Sequence, residues 1–199
     1  MFYRLISYLP FALLYGLAWL GYLLLYHVFR YRRKVVKTNL ANAFPDKTVA
    51  ERKRLEKAFY RRLCQVALEI IKARRMPAEA FLQRAKFVNP ELLEQYSEGF
   101  SKSVIVLTIH QGNWEWMLHG ATTRFQIPID PVYKPLHNQS ADKMVYEIRS
   151  QFGSRPLSMD ESVKDIIRRR REFRVFVMVA DQSPIRSERG YWTCLLYTS

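Results

Sequence analysis

Acidic side chains are in short supply in this sequence: 18 Asp+Glu stand against 32 Lys+Arg, a formal net charge of +14. Such a balance points to anionic partners, whether nucleic acid, a membrane surface or an acidic protein, and does not choose among them. Cysteine is scarcer still. Cys64 and Cys194 form no CxxC and no metal-like spacing, which argues against a disulfide scaffold and is compatible with a reducing compartment. No HExxH is present, so no metal is expected. The closest approach to a serine nucleophile elbow, GFSKS at 99–103, is not GxSxG and precedes an apolar strand instead of following it. Repeats and low-complexity tracts are missing too. Charge itself vanishes from one long run, since Leu5 to Phe29 contains no Lys, Arg, Asp or Glu.

What is there suits a folded protein. The chain has 199 residues, 49% hydrophobic and 25% charged, enough for one domain with a real core. As a helix the charge-free run would extend about 37 Å, enough to cross a hydrocarbon layer with tilt. Tyr8, Trp19, Tyr22 and Tyr26 give it the aromatic character of membrane interfaces. A cleaved signal peptide fits poorly, because the run is too long and no small-residue cleavage site follows. A buried core helix stays open, given Pro10 and two glycines, and so does the choice between spanning the membrane and lying on it. Arg30, Arg32, Arg33, Lys34 and Lys37 follow at once, while only Arg4 precedes. By the positive-inside tendency the remainder faces the cytoplasm, and the cluster suits anionic headgroups.

Beyond the run, Tyr31, Val35, Val36 and Leu40 have helical spacing and end in the turn FPDKT. Thr48 with Glu51 three residues on reads as a capping box. It opens a long helix with Leu55, Phe59, Leu63, Val66 and Ile70 on its apolar face. Asn89-Pro90 starts another helix, and SEGFSK is a loop. Strands are then predicted at SVIVLTI, around 127–133 and around 173–179, with helices around 114–123, 141–152 and 161–171. That alternation predicts an α/β fold with a mostly parallel sheet and flanking helices, preceded by an N-terminal membrane-associated helix. The division expected is an anchor at 1–29, a domain at 30–193 and a non-native tail at 194–199. A last strand near 179 leaves a sheet in need of more chain, so the sequence reads as truncated at its C-terminus.

The chemistry concentrates where the first strand ends, in HQGNWE. In open α/β sheets functional groups gather at strand exits. Gly112 permits a tight turn, and Asn113 can cap the incoming helix. His110 and Glu115 then flank a chain reversal, so Glu115 is expected to reach back and fix the imidazole tautomer. A helix N-terminus close by offers N–H donors to an anion. With no protein nucleophile in sight (Cys64 lies mid-helix), the histidine is expected to be a general base acting on a substrate hydroxyl. His27, His119 and His137 have no such context. RRRR at 168–171 reads as a solvated helix face, or as a landing site for an acidic carrier protein or lipid phosphates.

HQGNWEW, VYKPLHNQSADK, IRSQFGSR and VADQSP, in that order after RRKVVKTNLANAFP, resemble the late acyltransferases of lipid A biosynthesis, of the lauroyl/myristoyl type within the lysophospholipid acyltransferases. The resemblance runs from about residue 5 to 193, and the C-terminal part of the family pattern has no counterpart. It implies a glycerolipid-acyltransferase-like fold and a His-x4-Asp/Glu motif, here His110 and Glu115. It also implies an oxyanion-stabilising arginine beyond a YRP-like segment. Here that segment is VYKP, with Lys134 replacing the usual Arg; Arg149 matches the later arginine best, and Arg155 competes. Asp181 and Gln182 match a DQ segment expected to shape the pocket or position substrate, and Asn113 joins Lys134 and Arg155 as a substrate-binding candidate. The implied reaction is acyl transfer from an acyl carrier protein thioester to a hydroxyl of an anionic lipid A precursor at the cytoplasmic face of the inner membrane, without cofactor. Rival readings are another glycolipid, lysophospholipid or amino-acid lipid as acceptor, and a non-catalytic basic membrane- or nucleic-acid-binding protein. The charge-free run counts against nucleic acid, and a lipase is disfavoured by the missing serine elbow.

Overall fold

The computed structural model of the protein describes residues 2–181; the expectations for Gln182, for the tail at 194–199 and for a C-terminal truncation fall outside them. The charge-free run is not one helix. Helix α1 (Phe2–Tyr8) stops before Pro10, and α2 (Phe11–Leu23) starts after it and runs on into a π turn at Leu24–Val28. Proline has no N–H to give the ladder, yet its fixed φ of −63° starts a helix well, and its carbonyl accepts from Leu14 at 3.0 Å. Phe11–Val28 is, among the described residues, the one stretch long and apolar enough to cross a membrane.

After a left-handed turn at Arg30 and Arg32 come α3 (Arg33–Ala43) and the long α4 (Val49–Ala73). The predicted capping box is present: Thr48 Oγ1 accepts from the Glu51 N–H, and the Glu51 carboxylate accepts from the Thr48 N–H. The apolar face expected on α4 is rotated. Phe59 and Leu63 are exposed, whereas Glu56, Tyr60, Val66, Glu69 and Ala73 are buried. The reason is that α2 and its π turn lie antiparallel along α4, and hydrogen-bond donors satisfy the glutamates that this buries. Arg33 Nε donates to Glu56 at 3.0 Å, and the Tyr15 hydroxyl to Glu69 at 3.1 Å. A buried carboxylate is tolerated only with such partners. α3 likewise buries nothing completely; only Val36 of its expected stripe packs against the Tyr22–Tyr26–Tyr60 cluster.

Two short helices, α5 (Ala78–Arg84) and α6 (Glu91–Tyr96), lead into the α/β part. It comprises β1 (Val104–Thr108), α7 (Trp114–Phe125), β2 (Ile129–Tyr133), α8 (Gln139–Arg149), β3 (Leu157–Ser158), α9 (Met159–Arg168) and β4 (Val175–Val179). The sheet is parallel throughout, in the order β1-β4-β2-β3, as the alternation predicts. The two-residue β3 left no periodic trace in the sequence. Leu118 of α7 packs on Ile129 and Val175 on one face. α9 covers part of the other, where Asp130, fully buried, accepts from Arg169 at 2.7 Å and from Arg174. Arg169 also donates to Asp165, so the RRRR run is not simply a solvated face: its second member is the centre of a buried ion network.

Candidate active site

Parallel strands present all their carboxyl ends along one edge, and the register of β1 with β4 decides what meets there. Thr108 pairs with Val179, and the Ala180 N–H donates to the Thr108 carbonyl at 2.9 Å. Two residues further along each chain stand His110 and Asp181. His110 Nδ1 lies 2.7 Å from Asp181 Oδ1, and the His110 N–H donates to Oδ2 at 3.0 Å. The carboxylate can only accept, so Nδ1 carries a hydrogen, and in the neutral ring the lone pair is at Nε2. Nε2 has no protein hydrogen bond among the described residues. Hydrogen bonding from His110 holds the Asp181 carboxyl below the usual carboxylate range. The Trp114 ring stands edge-on to the imidazole, 4.9 Å between centroids, and limits its rotation.

Glu115 is therefore not the partner of the imidazole. It is 4% exposed and receives both arms of Arg149: Nε to Oε2 at 2.9 Å and Nη2 to Oε1 at 2.6 Å. A third donor is the Trp114 indole N–H at 3.1 Å. The expectation that a first-turn carboxylate folds back to the histidine fails because α7 directs Glu115 into the protein, towards the end of α8. Burial works against the Arg149 charge, but the paired carboxylate holds the guanidinium above its ordinary range. The forked geometry fixes both groups more strictly than a point charge would. Arg149 also lies over the Tyr133 ring at 5.3 Å.

The loop between is built for this. Gly112 has φ +63°, with nothing near the position of a Cβ, so the left-handed backbone and not crowding selects glycine. Asn113 caps α7, its side-chain oxygen accepting from the Trp116 N–H at 3.0 Å. Its amide nitrogen donates to Glu69 of α4 at 2.7 Å, so Asn113 acts here as a structural tie. Glu69 was not a candidate from the sequence; a glutamate in a basic helix carries no signal of its own. It is the hub that links Asn113 with Tyr15 of α2. The Trp116 indole adds a hydrogen bond to the Glu69 carbonyl at 3.0 Å.

A cavity of about 1150 Å³ opens at this edge, lined by His110, Glu115, Lys134 and Arg149 at its polar end. Most of the other walls are apolar, among them Val106, Met117, Phe125 and Val177. It is slightly larger than the roughly 300–1,000 Å³ usual for small-molecule pockets. Arg155 is not part of its lining; it reaches Asp165 at 3.4 Å on the α9 side. Of the sequence candidates, then, His110, Glu115, Arg149 and Lys134 line one cavity, and Asp181 binds the first of them. Asn113 and Arg155 are turned to other tasks.

Behind the Glu115–Arg149 pair, one turn further along α7, His119 is fully buried between Phe81 and Phe152, at 4.7 and 5.4 Å between ring centroids. Neither of its ring nitrogens has a partner among the described residues. Burial pushes its pKa down to about 4, so it is neutral at ordinary pH.

An imidazole hydrogen-bonded to Asp181, a buried carboxylate–guanidinium pair and a largely apolar cavity thus meet at one edge of the sheet. The sequence matches the family model for bacterial lipid A biosynthesis acyltransferases over residues 1–190, and the chain belongs to that family. No curated protein matches it.

Proposed function

We propose that the protein transfers a fatty acyl group from an acyl carrier protein thioester to a free hydroxyl of a lipid A precursor, at the cytoplasmic side of the inner membrane. The observation that carries this reading is the hydrogen bond from His110 Nδ1 to Asp181 beside a largely apolar cavity, with Nε2 unpaired among the described residues. Nε2 takes the proton of the acceptor hydroxyl as its oxygen attacks the thioester carbonyl, so a C–O bond forms and the O–H bond breaks. The tetrahedral oxyanion then collapses and the C–S bond breaks. The imidazolium returns the proton to the departing thiolate, giving acylated lipid and free thiol. Asp181 supports the transient imidazolium. Arg149 keeps Nη1 uncommitted among the described hydrogen bonds while Nε and Nη2 are held by Glu115. That leaves a fixed donor, reachable from the cavity, for the oxyanion. Lys134, exposed at the rim, suits a phosphate of the acceptor, and the apolar walls suit the acyl chain. The net charge of +14 favours both an acidic carrier protein and an anionic lipid.

The test is mass spectrometry of lipid products after incubation with acyl carrier protein thioester and a phosphorylated glycolipid bearing free hydroxyacyl chains. A product heavier by one acyl group is expected. Acylation of a lysophospholipid with the glycolipid untouched would replace the acceptor in this proposal, and no acyl transfer to any lipid would end it.

A further inference from the structure

The N-terminal helix has the length of a membrane span but not the surroundings of one. Along its whole course it is paired with α4: the Tyr26 ring packs tilted against Tyr60 at 5.3 Å, Gly21 lies beside Cys64, the Tyr15 hydroxyl reaches Glu69, and the Lys72 ammonium donates to the Leu9 carbonyl at 2.8 Å. The pairings step steadily in opposite directions, so no stretch of α2 is free of its neighbour. That neighbour carries ten charged residues, from Glu51 to Lys72. Several touch the apolar helix directly, such as Arg61 over the Tyr22 ring at 5.2 Å; from α5, Arg84 lies over Phe11 at 5.1 Å. A helix set upright in a bilayer would draw these charges to the same depth as itself, where ionised side chains are strongly disfavoured.

The surface away from α4 has the opposite character. Leu13, Leu17, Leu20, Leu24 and Val28 recur at helical spacing and are all exposed. The stripe ends at exposed Phe29 and Tyr31, among the exposed cations Arg30, Arg32, Lys34 and Lys37. Exposed Arg4 marks the other end. An interfacial helix needs an apolar face and a polar face. α2 itself is apolar all round, and α4 supplies the polar face of the pair.

We infer that α2 does not cross the membrane but lies in the plane of an anionic lipid surface, with the Leu13–Val28 stripe in the acyl layer, cations at both ends among the headgroups, and α4 on the water side. The inference rests on the membrane association in the proposed function, not on acyl transfer. Through Tyr15 and Glu69 this docking sets the height of the Asn113 loop, and so of the cavity mouth, above the lipid.

The test uses the full chain with Cys64→Ala and Cys194→Ala. Single cysteines at positions 13, 17, 20, 24 and 28 carry nitroxides and are read for oxygen against nickel-chelate accessibility in phosphatidylcholine vesicles containing phosphatidylglycerol. The two ends of the stripe are about 22 Å apart along a helix axis. Equal shallow depth at all five positions is expected, with weaker binding to vesicles lacking the anionic lipid. A depth profile peaking near position 20, with the ends at opposite interfaces, would overturn the inference while leaving membrane association and acyl transfer intact. Self-association through the stripe with no vesicle binding would overturn both the inference and the membrane part of the proposed function.

Discussion

Replacing Arg149 by Met should reveal how much of this site is held by one buried pair. Glu115 is 4% exposed and takes two hydrogen bonds from Arg149, leaving only the Trp114 indole when the guanidinium goes. Removing one partner strands a charge in a medium that solvates it poorly, at a cost of about 3–5 kcal/mol. For a domain of this size that corresponds to a fall of roughly 6–20 °C in melting temperature. Glu115→Leu combined with Arg149→Met removes both charges and should recover most of the loss, because an apolar pair of similar volume is often close to neutral. Near-ultraviolet circular dichroism in detergent, on wild type, both single variants and the double variant, completes the cycle. On the proposed mechanism catalysis would not recover, since the double variant lacks the proposed oxyanion donor. An Arg149→Met protein within about 0.5 kcal/mol of wild type, or single-variant losses that simply add, would refute the coupling.

Three further outcomes follow from the same geometry. Asp181→Asn keeps the shape but offers N–H to Nδ1, which moves the ring hydrogen to Nε2 and removes the proposed base. Turnover should drop roughly 10³–10⁴-fold with little change in KM, and an unchanged kcat would separate Asp181 from the chemistry. His119, with its pKa pushed down to about 4, binds a proton less readily folded than unfolded. Its contribution is intact above about pH 6.5 and lost as pH falls towards 4, a decline of about 3 kcal/mol by pH 4. Melting curves of His119→Phe should therefore fall less steeply over that window than wild type, and parallel slopes would contradict this. Glu69→Gln weakens the ties to Asn113 and Tyr15, so amide exchange across residues 110–116 should quicken at least several-fold; unchanged protection would show that the loop stands without Glu69.

Local chemistry made much of this legible in advance. The apolar run at 104–108, the glycine that turns the chain and the asparagine that caps α7 all act within a few residues of one another, so His110 at a strand exit followed from sequence. Its partner did not. Asp181 reaches the imidazole only because β4 inserts between β1 and β2 in a register that aligns Thr108 with Val179, and strand order leaves no mark in periodicity. Glu115 misled for a related reason: its proximity in sequence to His110 counted for less than the direction its position on α7 gives the side chain. Glu56, Glu69 and Arg169 look like solvent residues by type. Their burial comes from tertiary partners that pattern alone does not reveal.

The most direct measurement is the acyl-transfer rate of purified His110→Ala protein whose melting temperature matches that of wild type. A loss of about 10²–10⁴-fold is predicted, the usual worth of a general base. Turnover near the wild-type rate would contradict the assignment of His110 as the group that takes the hydroxyl proton.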